Sequence, residues 1–212
     1  QSTRPGAALS LEEEELNRVV PVVSAIRQAF PDAIMSVDTY RARVAEEAIG
    51  AGAHIINDVS GGQLDSHMFA TVAKLQVPYI LMHMRGTPDT MQQHTDYKDI
   101  VNDVAVELGH AIASLRALGV RDIILDPGFG CAKTSAQDYE LLLHVAELHY
   151  HGLPSLGGIS IKSMIYRKLG LSPTEALTGT IALNTLLLER GVQLLRIHDV
   201  QEAKQLVDLL YS

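Results

Sequence analysis

Cysteine is nearly absent from this sequence: Cys131 stands alone among 212 residues. One thiol can make neither an intrachain disulfide nor a cysteine-based zinc site. Such sparing use fits a reducing compartment and a cytoplasmic location. Long hydrophobic runs are missing too, and no stretch approaches the ~18 apolar residues of a membrane span. Positive charge is the minority sign: 17 Lys and Arg stand against 25 Asp and Glu, for a formal net charge of −8. That balance disfavours general binding to nucleic acid or to an anionic membrane. An anionic ligand must then be held by a local cluster of Arg, Lys and backbone N–H groups. Two nucleotide signatures are also lacking. No G-x-G-x-x-G loop follows a first strand, and there is no Walker lysine motif.

What is present is the balance of a globular chain, 47% hydrophobic and 20% charged, of a size that suits one domain spanning residues 1–212. Short apolar segments alternate with longer amphipathic ones. The expected strands are Ile34–Asp38, His54–Val59, Pro78–Met84, Asp122–Asp126, Pro154–Ser160 and Val192–His198. They are apolar on both faces, as strands of a covered parallel sheet are. Ser10 and Glu13 form a capping-box pair ahead of a helix running to Phe30, which Pro21 is expected to kink or restart. Further helices are expected over Arg41–Ala51, Ser66–Leu75, Asp99–Leu118, Ala136–His149, Thr174–Arg190 and Gln201–Leu210. Gly52, Gly119, Gly152 and Gly191 sit where helix C-caps want positive φ.

Repeated βα units imply a parallel sheet with right-handed crossovers, either open or closed into a barrel. The polar residues favour the barrel. Asp38, Asn57, Asp58, His83, Asp126, Lys162, Arg196 and His198 lie at or just beyond the ends of all six expected strands. An open sheet gathers its site at one switch point, whereas a barrel draws on the C-terminal ends of many strands.

Each motif has a plainer reading beside the functional one. Gln1 to Ala7 (QSTRPGA) is a turn before a helix or, through Ser2, Thr3 and Arg4, an anion-binding loop. Asp38 is a helix cap or a ligand group. Two or three carboxyl groups and the Asn57 amide around one mouth suit a flat heterocycle with adjacent N–H groups. A lysine such as Lys162 at a buried strand end needs a partner, because an unpaired buried ammonium is costly. Arg196 with His198 suits a phosphate or diphosphate; the plainer alternative for Arg196 is an ion pair with Asp199 or Asp126. His144, His149 and His151 lack metal-ligand spacing and lie at the opposite face. His54 reads as structural.

In order along the chain stand STRPGA (2–7), SVDT (36–39), INDVSGG (56–62), LMHM (81–84), LDPGFG (125–130), S-x-KSMI (160–165) and RIHDV (196–200). This ordered set resembles dihydropteroate synthase from end to end. The resemblance implies a (β/α)₈ TIM barrel of the pterin-binding type. It also implies a cytoplasmic, homodimeric, Mg²⁺-dependent transferase of folate biosynthesis, sensitive to sulfonamides. Its small-molecule substrates would be a dihydropterin methyl diphosphate and 4-aminobenzoate, with no nucleic-acid or membrane partner. Asp38, Asn57, Met84, Asp126 and Lys162 are expected at the pterin, with Asp38, Asp126 and Lys162 catalytic. Arg4, Arg196 and His198 are expected at the diphosphate, and Thr3, Pro5, Cys131 and Ser160 at the aminobenzoate.

The same resemblance places two strands, a helix and a loop with a Mg²⁺-binding asparagine ahead of Gln1, so no metal ligand is expected within these residues. Residues 1–212 alone are then expected to carry open sheet edges and little activity. The family pattern also has apolar residues at Ser155 and Gly157, arginine at Ile161, and an aromatic residue at Cys131. The functional alternatives are a methyltetrahydrofolate-type methyltransferase, which needs no diphosphate cluster, and a non-catalytic pterin-binding barrel.

Overall fold

The computed structural model describes residues 11–211, apart from the side chain of Tyr150. The expected loop residues Thr3, Arg4 and Pro5, and the capping Ser10, lie outside the described residues. Helix α1 spans Glu12–Ala29 and opens on four consecutive glutamates, whose charge suits a helix N-terminus. The helix does not restart at Pro21, as one form of the expectation had it, but runs through it. Pro21 is exposed, so the carbonyl left without its N–H partner can turn to water.

Four parallel strands follow one another in chain order: β1 (Ser36–Asp38), β2 (Ile55–Asp58), β3 (Tyr79–Met82) and β4 (Ile123–Asp126). A second parallel pair joins β5 (Leu156–Gly157) to β6 (Leu194–Leu195). The two groups meet at a bridge between Leu125 and Ser155, where the Leu125 N–H donates to Pro154 O at 2.8 Å. The strands thus advance around one curved wall. No pairing between β1 and β6 closes it among the described residues. Register sets the mouth: Asp38 lies opposite Asn57, and Met82 opposite Asp126.

Helices α2 (Ala42–Gly50), α3 (Met68–Leu75), α4 (Ile100–Ala117), α5 (Ser135–Leu143), α6 (Ser163–Leu169), α7 (Leu177–Glu189) and α8 (Val200–Tyr211) cover the strands. Their inner faces meet the strands in one apolar core that includes Ile56, Tyr79, Leu81, Leu115, Leu125, Phe129, Leu141 and Leu187. The helix expected over Ala136–His149 divides, because the chain tightens after Leu143 into a 3₁₀ turn over Val145–His151. Helix α6 was not anticipated. Its seven residues are too few to show a helical period, although Gly170 at φ +68° marks its end. The four expected glycine caps, Gly52, Gly119, Gly152 and Gly191, all have positive φ.

Strand β5 is much shorter than expected, and its departures from the family pattern have local partners. Ser155 is buried, its N–H donates to Gln193 Oε1 at 2.8 Å, and its hydroxyl lies 3.1 Å from His149 Nε2. A Cβ on Gly157 would stand 2.5 Å from Leu187 Cδ1, so Leu187 fills the space of the missing side chain. Gly157→Val alone should therefore destabilise by about 1–3 kcal/mol, the scale of overpacking. Adding Leu187→Ala should recover part of that loss in a denaturant titration. Additive destabilisation in the double variant would show that the two residues do not share the space.

Candidate active site

Strand β1 delivers Asp38 to the mouth, and the chain keeps it there by giving the capping work to another residue. The Ala42 N–H at the start of α2 donates to Asp65 Oδ2 at 2.7 Å, so Asp38 is not the cap. Its Oδ1 instead accepts from Asn57 Nδ2 at 2.8 Å, and its Oδ2 is paired with the Arg196 guanidinium. The partner of Arg196 is thus Asp38, not the Asp199 or Asp126 that the plainer alternative named. The pair joins the ends of the first and last strands across the open mouth, with the Arg196 side chain 55% exposed. Asn57 is buried, and its Oδ1 has no hydrogen-bond partner. A buried acceptor left unmatched is uncommon and costly, and it marks a place for a ligand N–H.

Asp58 looks alike in sequence and behaves differently. It accepts from Ser60 N–H at 2.8 Å, Ser60 Oγ at 2.7 Å, Gly62 N–H at 2.9 Å and the Tyr79 hydroxyl at 2.7 Å. Its oxygens are spent on the following turn and on β3. The mouth therefore has two carboxylates, Asp38 and Asp126, rather than three.

Asp126 ends β4 with 5% of its surface exposed. Burial pushes its carboxyl above the usual carboxylate range, while Lys162, the Gly128 N–H, Lys133 and Arg196 pull the other way. Its Oδ1 accepts from the Gly128 N–H at 2.8 Å. Lys162 stands at the N-terminus of α6, and its ammonium donates to Phe129 O in the same loop. The residue before it, Ile161, holds φ +54°, a conformation that a β-branched residue rarely adopts. Strain of this kind is most often kept where the surrounding structure holds a turn for function.

Met84 is buried in an apolar cluster with Val59, Met82, Met91 and Ala132, against which Cys131 packs. Met84 and Cys131, expected at different substrates, thus share one wall. Ser160 is buried, accepts from the His198 N–H at 3.2 Å, and lies 3.0 Å from His198 Nδ1. The structure therefore places Ser160 with the Arg196–His198 group.

Further polar groups gather behind the loop: His83, already noted at its strand end, and Lys133, Glu107 and Asp138, to which the sequence assigned no role. Lys133 is buried and donates to Gly128 O and Cys131 O, with His83 Nδ1 also at 3.0 Å. Burial lowers its ammonium to about 8. On the other side of the ring, His83 Nε2 lies 3.0 Å from Glu107 Oε2. Burial and the neighbouring Lys133 charge lower the imidazole to about 4. Asp138 of α5 accepts from the Gly130 N–H at 2.7 Å. A cavity of about 360 Å³ beside this loop is lined by Gly130, Lys133, Thr134, Ser163 and Arg167 among others. The signal for these groups was slight: a lysine and an aspartate shortly after Asp-Pro-Gly-Phe-Gly. At the other end of the strands, His144 meets Glu147, His149 meets Ser155, and His151 meets Ala105 O. His54 accepts from the Met35 N–H at 3.1 Å. Among the described residues, no group of three or more His, Cys, Asp or Glu side chains could hold a metal ion.

Comparison with known proteins gives the same direction. Residues 1–198 match the pterin binding enzyme family. The dihydropteroate synthase of Escherichia coli K12 is 42% identical over 204 residues, which cover 95% of this chain and 72% of that protein. A crystal structure of Yersinia pestis dihydropteroate synthase with a sulfonamide drug has a TM-score of 0.94 at 42% identity, covering 99% of this chain and 76% of that one. The folic acid synthesis protein fol1 of Pneumocystis carinii is 41% identical over 210 residues, 95% of this chain, yet the chain spans only 28% of its length. The fold is accordingly a TIM barrel of the pterin-binding type, to which the described residues contribute six strands. The chain belongs to the pterin binding enzyme family and, within it, to the dihydropteroate synthases.

Proposed function

We propose that this chain, as a single pterin-binding domain, condenses a 6-hydroxymethyl-dihydropterin diphosphate with 4-aminobenzoate. The products are 7,8-dihydropteroate and diphosphate, in folate biosynthesis. The observation that carries the reading is the convergence of Asp38, Asn57, Asp126 and Lys162 on one mouth, with Asn57 Oδ1 unmatched. The carboxylates accept the ring's adjacent N–H groups, and Lys162 donates to its acceptor edge. Arg196 and His198, with Arg4, take the diphosphate. By the family resemblance Thr3, Pro5, Ser160 and Cys131 are assigned to the aminobenzoate, Ser160 reaching it from beside His198, and Met84 to the pterin. Sulfonamides, which mimic aminobenzoate, compete for the aminobenzoate pocket.

The chemistry follows from charge. As the methylene C–O bond breaks, the electron pair leaves with the diphosphate, whose growing charge the Arg196–His198 group stabilises. The methylene left behind is cationic and conjugated with the pterin, and Asp38 and Asp126 stabilise it. The aniline nitrogen forms the new C–N bond and releases its proton. Aniline is a weak base, so positioning matters more than a strong general base. Mg²⁺ would supply further charge on the diphosphate. The described residues do not by themselves form a site for it, and no step above passes through it. We place the protein in the cytoplasm as a homodimer. No helix among the described residues is long and apolar enough to cross a membrane.

The test is diphosphate release from purified full chain given both substrates. Release that depends on aminobenzoate is expected. Pterin binding with no release would favour a non-catalytic barrel, and methyl transfer from methyltetrahydrofolate would replace the proposal. A second expectation concerns Cys131, which offers less apolar contact than the family's aromatic residue. Cys131→Phe should tighten both 4-aminobenzoate and sulfonamides by up to about 1 kcal/mol, part of the value of burying an aromatic ring. Unchanged titrations for both ligands would remove Cys131 from the pocket.

A further inference from the structure

Lys133 has an unusual environment for an ammonium. It is 3% exposed and makes no ion pair among the described residues. Its three contacts are neutral: His83 Nδ1, Gly128 O and Cys131 O, each at 3.0 Å. Burying a charge against neutral acceptors is costly, and an apolar side chain would fill the space more cheaply. What the ammonium adds is geometry. Two carbonyl oxygens aimed at one point repel each other, and a compact group with three donors lets them converge.

Those two carbonyls bracket the loop that equips the site. Gly128 is at φ +69°, and a Cβ there would stand 2.0 Å from His83 O, so the turn is pressed against the end of β3. From this loop the Gly128 N–H donates to Asp126, the Phe129 carbonyl receives Lys162, and the Gly130 N–H donates to Asp138. His83 is braced in turn by Glu107, which Arg85 grips. The ring's other nitrogen is thereby left as the acceptor for Lys133.

We propose that Lys133 is a positioning residue of the pterin site, whose ammonium gathers the Gly128 and Cys131 carbonyls and so sets the loop that orients Asp126 and Lys162. This rests on the pterin-binding role proposed above for those two residues. In this role Lys133 acts through the loop and not through a bond to the substrate.

The experiment uses the full chain as wild type, Lys133→Met and Lys133→Arg. It measures 6-hydroxymethylpterin binding by calorimetry, steady-state kinetics and thermal melting. Lys133→Met should weaken pterin binding by roughly tenfold, the scale of hydrogen bonds to a charged group, and raise the pterin KM more than it lowers kcat. Lys133→Arg keeps the charge but spreads its donors along a plane, and should recover only part of the affinity. A merely structural role would lower the melting temperature and leave the affinity of the folded molecules unchanged. Wild-type affinity in a cooperatively melting Lys133→Met protein would overturn the proposal. If that variant does not fold, wild-type affinity in Lys133→Arg would do so. A wild-type protein that bound no pterin would instead overturn the functional reading on which the proposal stands.

Discussion

Asp126→Asn is expected to raise the melting temperature at neutral pH while removing most of the pterin affinity. The two effects share one cause. Burial lifts the Asp126 carboxyl above the usual value of 3.8 despite the cations around it. A carboxyl with a raised folded pKa stabilises the fold only while protonated, and that contribution is lost as pH rises through the folded pKa. At neutral pH the ionised group therefore weighs against folding, and asparagine removes the charge while keeping an oxygen for the Gly128 N–H. The charge is what a pterin's N–H groups need. Its loss should weaken pterin binding by about 2–5 kcal/mol, the scale of truncating one partner of a buried, hydrogen-bonded charge pair. Calorimetry and a melting curve on one preparation read both effects. Intact affinity would remove Asp126 from the pterin site, and a lowered melting temperature would contradict the burial argument.

The second large effect is expected on the acid side of the stability curve. His83 titrates at about 4 in the folded protein against 6.5 ordinarily, chiefly because it is buried and next because Lys133 is close. As pH falls below 6.5 the unfolded chain takes up a proton that folded His83 refuses until about 4. Its contribution is thus present above 6.5 and lost across that window, by about 3 kcal/mol from the size of the shift. Glu107, held down to about 2 by its bonds to His83 and Arg85 against the effect of burial, extends the loss below 4.5. Partial exposure makes its share smaller. The raised carboxyls Asp58, Asp126 and Asp138 act in the opposite sense. The informative quantity is therefore the difference between wild type and His83→Gln, which keeps a donor and an acceptor but does not titrate. Unfolding free energies from pH 7 to pH 4 should fall less steeply in the variant. Parallel curves would mean that His83 is not held neutral.

Much of this protein was legible along the chain. The βα alternation, the six strands and the polar residue ending each one follow from local apolar period and local chemistry. Those features are encoded within a few residues, and the ordered motifs identified the family from them. Helix α6 was missed because seven residues hold under two turns of pattern, and a restart at Pro21 was not needed because the residue is exposed to water, which is not written in its neighbours.

Partner choice was decided only in three dimensions. Arg196 meets Asp38 across 158 positions because the curvature of the wall brings the first and last strands near each other at the mouth. Asp58, adjacent to Asn57, is turned away from the mouth because successive side chains of a strand point to opposite faces. Ser160 joins His198 because β5 and β6 are paired in register. The burial of Lys133 and its three neutral partners became visible only once its loop was folded around it. A sequence lists which charges and donors exist near each strand end. Strand register and the curvature of the wall select which of them meet, and those depend on contacts far apart in the chain.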